Sequence, residues 1–180
     1  TEFVWEELSD GTVKITGMTF YHDLVSRLEI PESIYGKTVS AIGGWSLASG
    51  CNKVEEIVLP DTVSILEEEA FAGLMGMDRI SVSEDNPYFV VSDIALYSKD
   101  KKKLYWVSPK AKEFQIPNGV EWIGYYTFLK DSLVESIYIS DEVNLASDGV
   151  NAYSLASNIF GECANLKKFV VSGTHPYYKT

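Results

Sequence analysis

The side chains that could carry catalysis or hold a metal are few and widely spaced in this chain. Its two histidines, His22 and His175, lie near opposite ends of the sequence, so we expect both at the surface and in no shared metal site or triad. Metalloprotease, Cys-x-x-Cys and Gly-x-Ser-x-Gly motifs are absent from the sequence. No strand is followed by a glycine-rich, phosphate-cradling loop. The sequence therefore predicts a non-enzyme with no cofactor.

Acidic side chains cluster at Glu67-Glu68-Glu69 and at Ser83-Glu84-Asp85. Neither cluster has the alternating oxygen ligands and the glycine of a calcium loop, so no metal site is predicted. Glycoside hydrolysis needs two carboxylates that face one cleft, and nothing in the sequence places a pair in that way. A carbohydrate-active enzyme is therefore only the third of three hypotheses.

Composition and charge narrow the range of partners. The formal net charge is -11, and the densest basic run, Lys101-Lys102-Lys103, is typical of a solvated hairpin tip, so nucleic acid is not expected as a partner. The chain has no run of about 18 apolar residues, so we expect no membrane-spanning segment. No export leader is recognisable at Thr1, and any such signal is expected to have been removed or never present.

A short apolar strand followed by proline recurs along the chain. Ile57-Val58-Leu59-Pro60, for example, returns as Phe114-Gln115-Ile116-Pro117. Intervals of 29, 23, 34, 23 and 32 residues separate the second apolar residues of these strands, which are Ile30, Leu59, Val82, Ile116, Ile139 and Val171. Every interval longer than 23 coincides with an identifiable insertion, which is how a solenoid accepts extra residues. The spacing predicts a solenoid of about five coils.

One unit contains more apolar residues than a single coil can bury, so neighbouring coils must cover them. In one unit these residues are Ile57, Leu59, Val63, Leu66, Phe71 and Leu74. Pro60 should end its strand because it has no N–H to donate to a parallel ladder. The segment Glu67-Glu68-Glu69-Ala70-Phe71 is predicted to form one short helical turn, and no long helix is expected.

The two cysteines fall in the slot that Leu74 fills in another unit. That equivalence predicts small buried side chains at Cys51 and Cys163. The two slots are four coils apart, which is too far for a disulfide.

The ends of the chain and one internal stretch depart from the unit. Residues 1–22 are predicted to form a β-hairpin, turning at Asp10-Gly11, that caps a solenoid spanning residues 23–172. A second hairpin, with strands Ile94 to Ser98 and Leu104 to Val107, is predicted within an insertion at about 83–113. Residues 173–180 would begin a further coil or form a C-terminal tail.

The chain resembles the BspA-like leucine-rich repeat family, whose unit runs roughly I-x-I-P-x-x-V-x-x-I-G-x-x-A-F-x-x-C-x-x-L. In one copy the residues that match this unit are Ile116-Pro117, Val120, Ile123-Gly124 and Phe128. In another copy Cys163 and Leu166 match the end of the unit. The chain departs from the pattern at Glu67, Asp131 and Ala146, where looser local structure is expected.

The resemblance implies an α/β leucine-rich-repeat solenoid with a parallel sheet of short strands and short helical turns. It also implies a secreted or surface-attached bacterial protein, often from a host-associated species, that is used in adhesion and protein binding. Fold alone does not identify a ligand.

Stacked coils would place outward strand residues side by side, and we call this surface the strand face. Its candidate binding residues are Arg27, Glu29, Glu56, Val58, Arg79, Ser81, Glu113, Gln115, Ser136, Tyr138 and Lys168, with Val170 beside them. Both charge signs and a tyrosine favour a protein or glycan partner. Aromatic side chains form a second candidate set, which is Trp45, Tyr105, Trp106, Tyr125 and Tyr126. Strand alternation should hide one of Tyr105 and Trp106.

Two other hypotheses rank above the carbohydrate-active enzyme. The first is a non-catalytic adhesion or protein-interaction module that binds a host or bacterial protein or glycan through the strand face. The second is a structural spacer domain of a larger surface protein. The spacer should tolerate substitution of Arg79 and Tyr138, whereas the interaction module should not. The sequence leaves the oligomeric state open.

Overall fold

The computed structural model describes residues 3–19, 25–48, 53–74, 76–128, 133–139, 143, 159–160 and 163–173. The described chain is built from short strands and turns, with almost no helix. Its strands are β1 (Phe3–Glu7), β2 (Val13–Met18), β3 (Arg27–Glu29), β4 (Ser33–Ile34), β5 (Lys37–Ile42), β6 (Glu56–Leu59), β7 (Ile65–Leu66), β8 (Arg79–Val82), β9 (Phe89–Ser92), β10 (Ala95–Ser98), β11 (Lys103–Val107), β12 (Glu113–Ile116), β13 (Trp122–Ile123), β14 (Ser136–Ile139) and β15 (Lys168–Val171).

Equivalent strands of successive repeats pair in parallel. The first strands of the units form two three-stranded sheets with the orders β3-β6-β8 and β12-β14-β15. Pro60 and Pro117 immediately follow β6 and β12, as the missing N–H of proline predicts. A second strand follows the first in three units, as β5, β7 and β13; β5 pairs in parallel with β7, and β13 pairs in parallel with β11, which belongs to the insertion. The short second strands were not predicted from the sequence.

The insertion interrupts the row of first strands. The sequence predicted one continuous row, but β8 and β12 lie in separate sheets because β9, β10 and β11 intervene. These three strands pair antiparallel, so the insertion holds one strand more than the predicted hairpin. The extra strand, β9, begins where the Asn86 side chain accepts hydrogen bonds from the backbone N–H groups of Tyr88 and Phe89, at 2.9 and 2.8 Å.

At the N-terminal end, β1 and β2 pair antiparallel across the predicted Asp10-Gly11 turn. β2 in turn pairs in parallel with β5, so this pair is joined to the first repeat by backbone hydrogen bonds. The role of the pair as a cap, like the boundaries of the predicted solenoid and the full number of coils, stays a prediction.

The segment that follows β7 forms hydrogen-bonded turns, and the predicted helical turn is wrong. Ala70 N–H donates to the carbonyl of Glu67 at 3.2 Å, and Ala72 N–H donates to that of Glu69 at 3.0 Å. Glu69 has φ of +64°, in the left-handed region, so a right-handed helical turn cannot pass through it. The looser structure expected at Glu67 stays a prediction; its carboxylate lies 2.8 Å from Lys14 Nζ.

The predicted core residues are buried. In the unit that contains β6 and β7, the exposed fraction of the six predicted residues is between 0% and 7%. Cys163 is buried as predicted. The predictions for Cys51, His22, His175, Asp131, Ala146 and residues 174–180 fall outside the described residues, so the absence of a Cys51–Cys163 disulfide stays a prediction.

Candidate functional site

The strand face exists as two rows, one on each three-stranded parallel sheet. In the first sheet Arg27, Glu56 and Arg79 are in register, and so are the three residues two positions later, Glu29, Val58 and Ser81. In the second sheet the corresponding triplets are Glu113, Ser136, Lys168 and Gln115, Tyr138, Val170. The side-by-side placement predicted from the sequence is therefore correct within each sheet. Register is fixed here because a slip of one residue would turn the apolar set outward.

Glu56 is the centre of the first row and is buried, although its place in the strand pattern predicted an outward-facing side chain. Its carboxylate accepts a 2.6 Å hydrogen bond from Ser81 Oγ, and it lies 3.3 Å from a guanidinium nitrogen of each neighbour, Arg27 and Arg79. The flanking arginines cover it because it sits on the central strand. The hydrogen bond from Ser81, together with the two arginines, holds the pKa of Glu56 below its ordinary value against the opposing effect of burial. Glu56 therefore acts as the group that holds two exposed arginines in place.

The second row carries the tyrosine of the strand face. Lys168 Nζ lies 5.5 Å from the ring centroid of Tyr138, which is a cation–π distance. Ser136, the central residue of its triplet, is buried between the in-register positions of Glu113 and Lys168. In both sheets the central first-position residue is covered, and the flanking positions are exposed.

The predicted aromatic candidates do not form one surface. Trp45 is 47% exposed, donates a 2.7 Å hydrogen bond from Nε1 to Glu69, and meets the Tyr126 ring edge-on at 5.3 Å. Tyr105 and Tyr125 are half-buried. Trp106 is only 2% exposed, so it cannot reach a partner, and the sequence expectation that one of Tyr105 and Trp106 is hidden is confirmed.

Two open grooves could not be predicted from the sequence. One, which we call the aromatic groove, lies against residues of β9, β11 and β13 and has a volume of about 540 Å³; the residues that line it include Tyr88, Tyr105, Trp122, Asp100, Lys102 and Lys103. The other, near the β1–β2 pair, includes Trp5 and Tyr35, whose ring centroids lie 6.2 Å apart. Trp122 could have been found, because its neighbour Ile123 is an evident core residue and strand side chains alternate.

Metal-ligating side chains do not cluster in the part of the chain that the structure describes. This part contains no group of three or more histidine, cysteine, aspartate or glutamate side chains that could hold a metal ion. No helix in the same part of the chain is long and apolar enough to cross a membrane.

The repeat identified from the spacing matches a known family along most of the chain. The BspA type leucine rich repeat region matches residues 13–144 and 49–175, in six copies. The chain belongs to the BspA-type leucine-rich repeat family.

The BspA-type repeat explains a backbone conformation that three equivalent positions share. Trp45, Glu69 and Tyr126 each stand two residues after the glycine position of their copy, and their φ angles are +57°, +64° and +57°. The aromatic candidates Trp45 and Tyr126 therefore project from equivalent turns.

Solved structures share this fold. The pneumococcal vaccine antigen PcpA matches with 18% identity and a TM-score of 0.58, over 87% of this chain and 41% of PcpA. A leucine-rich-repeat protein of Eubacterium ventriosum matches with 21% identity and a TM-score of 0.53, over 81% of this chain and 41% of its own. A leucine-rich cell surface protein of Faecalibacterium prausnitzii matches with 16% identity and a TM-score of 0.51, over 96% of this chain and 38% of its own.

The chain thus spans about two fifths of the structures it matches first. At these identities the likeness shows the leucine-rich-repeat fold alone. No match was found among curated proteins.

Proposed function

We propose that this BspA-type domain is a non-catalytic interaction module of a secreted or surface-attached bacterial protein, and that it binds a protein or glycan through the strand face. The observation that carries the proposal is the register of the two sheets, which lines up side chains from successive repeats. The row in the first sheet presents Arg27 and Arg79 on either side of a buried carboxylate. The half-buried Tyr138 and the exposed Lys168 form the corresponding pair in the second sheet.

The chemistry of these rows suits a specific partner. Arginine and tyrosine are over-represented among residues that dominate binding energy, and both are held here by neighbours before any partner arrives. Preordering lowers the entropy cost of binding because less side-chain freedom is lost. The mixture of charge signs disfavours a simple polyanion as partner.

Location at the bacterial surface is supported by the family and by the cell surface protein of F. prausnitzii, which shares the fold. The same evidence suits a spacer domain, which would need no ligand. The two functions differ in whether the strand face is sensitive to substitution.

The test is a binding screen of the purified domain against immobilised matrix proteins and glycans. The double variant Arg79→Ala/Tyr138→Ala is compared with Lys112→Ala/Tyr35→Ala, which removes one cation and one tyrosine outside both the strand face and the aromatic groove. We expect saturable binding that the first double variant weakens by about tenfold or more and the second leaves unchanged. A spacer would show no retained ligand, or equal binding by all three proteins.

A further inference from the structure

The aromatic groove is a preformed concave surface that lies outside the strand face. Its volume of about 540 Å³ lies within the range of about 300–1,000 Å³ common for small-ligand sites. It lies where the Lys99-to-Lys103 turn of the insertion approaches β13, and β11 forms its floor.

The floor of the groove is a chain of aromatic rings that brace one another. Tyr105 meets the buried Phe89 edge-on at 5.6 Å and meets Trp122 at 5.3 Å with an angle of 58° between the rings. Tyr88 stands at the edge and is 44% exposed. Because each ring is fixed by its neighbour, a ligand that rests on them loses little of its binding energy to ordering the site.

The rim of the groove is polar, and its charges balance. Lys102 pairs with Glu121 at 2.8 Å, and Asp100 accepts a 2.6 Å hydrogen bond from Ser98 Oγ. Lys103 Nζ lies 5.7 Å from the centroid of the Trp122 ring. Two lysines and two carboxylates give no net charge at the rim, so the groove favours neither an anionic nor a cationic polymer. The chain as a whole carries -11, which adds repulsion against polyanions.

The backbone beside the groove has no room for an added peptide strand between β11 and β13. Trp122 N–H donates to the carbonyl of Lys102 at 3.1 Å, and Gly124 N–H donates to that of Leu104 at 3.0 Å. A peptide that binds by strand addition needs free backbone groups, and here those groups already pair with each other. A peptide therefore cannot add as a strand at this point, and the side chains of the groove are the groups offered to a ligand here.

We propose that the aromatic groove binds a short neutral oligosaccharide. A sugar ring has an apolar C–H face, which suits the rings of Tyr105 and Trp122, and hydroxyl edges, which suit the donors and acceptors of the rim. The Tyr105 phenol is protonated at neutral pH and can donate a hydrogen bond; burial, with a smaller contribution from Asp100, raises the pKa of Tyr105 further from neutrality. This site is separate from the strand face and goes beyond the function proposed for it.

The test uses affinity electrophoresis of the purified domain in gels that contain barley β-glucan, xyloglucan, galactomannan, glucomannan or dextran, with polygalacturonate as the acidic comparison. We expect at least one neutral polymer to retard the domain and polygalacturonate not to. Calorimetry with a hexasaccharide of the retarding polymer then measures the affinity of Tyr88→Ala, Lys103→Ala and Trp122→Phe.

Tyr88→Ala should lower the affinity for the hexasaccharide by about tenfold, because it removes an exposed ring without changing the core. Tyr35→Ala, at an 86% exposed tyrosine outside the groove, should not change the affinity, and neither should Arg79→Ala/Tyr138→Ala. Retardation by no neutral polymer overturns the proposal, as does preference for polygalacturonate. It is equally overturned if the affinity of all three groove variants is unchanged. Loss of binding in Arg79→Ala/Tyr138→Ala alone would assign the sugar to the strand face instead.

Discussion

Replacing Glu56 by glutamine removes the charge at the centre of the first row while keeping its shape. In the native chain this carboxylate accepts a hydrogen bond from Ser81 and faces both Arg27 and Arg79. A hydrogen bond to a charged group contributes about 1.5–3 kcal/mol, and each partly exposed ion pair contributes about 0–1 kcal/mol. Glutamine keeps an acceptor for Ser81 and loses the charge, so we expect Glu56→Gln to lower the free energy of unfolding by about 1–2 kcal/mol at neutral pH.

The effect should depend on pH in a defined direction. The folded-state pKa of Glu56 lies below its ordinary value of 4.5, so its contribution is fully present above pH 4.5 and is lost as the pH falls through the folded-state pKa. The difference in stability between native chain and Glu56→Gln should therefore shrink as the pH is lowered below 4.5. Urea unfolding followed by tryptophan fluorescence at several pH values measures this difference.

Glu29→Gln is the matched control. Within the described part of the chain Glu29 forms an ion pair with Arg27 alone, at 3.1 Å, and its side chain is 70% exposed, so its loss should lower the free energy of unfolding by less than about 0.5 kcal/mol. The reasoning about Glu56 would be refuted by equal effects of the two substitutions at neutral pH, or by a Glu56→Gln effect that persists unchanged in acid.

Three further predictions concern stability and are read by the same urea unfolding. Gly44→Ala places a Cβ 2.6 Å from the carbonyl oxygen of Glu68 and should destabilise by about 1–3 kcal/mol, whereas Gly17→Ala, with its nearest neighbour at 3.5 Å, should change little. Trp106→Ala empties a buried site and should cost about 3–5 kcal/mol; a cost near zero would show that this side chain is not packed. Tyr35→Asn should stabilise by up to about 1 kcal/mol, because Tyr35 has φ of +50° beside Gly36 at +78°; a loss of stability would show that the contact with Trp5 outweighs the backbone strain.

The strand register could be predicted from the sequence because it depends on a single repeating pattern. Burial of Ile57, Ile80 and Leu28 on neighbouring strands leaves only one alignment, and the residues beside them then fall into rows. The same logic placed the proline after the strand and the buried cysteine at Cys163.

Features that depend on contacts between distant residues could not be predicted in this way. Burial of Glu56 requires partners contributed by both neighbouring repeats, and its strand pattern alone placed it in solvent. The turn at Glu69 depends on a left-handed backbone conformation. The residue type does not predict this conformation, since glutamate ordinarily favours a right-handed helix. The aromatic groove forms where the insertion packs against β13. The repeat spacing does not indicate that these two segments are neighbours.

The central claim is that side chains aligned by the two parallel sheets bind a partner. Nuclear magnetic resonance titration of the isotopically labelled domain, with the matrix protein fragment or glycan that the screen retains, tests this claim most directly. We predict that the largest chemical-shift changes fall on β8 and β14, around Arg79 and Tyr138, and are absent in the Arg79→Ala/Tyr138→Ala variant. Changes confined to residues outside the two sheets, or equal changes in native chain and variant, would contradict the claim.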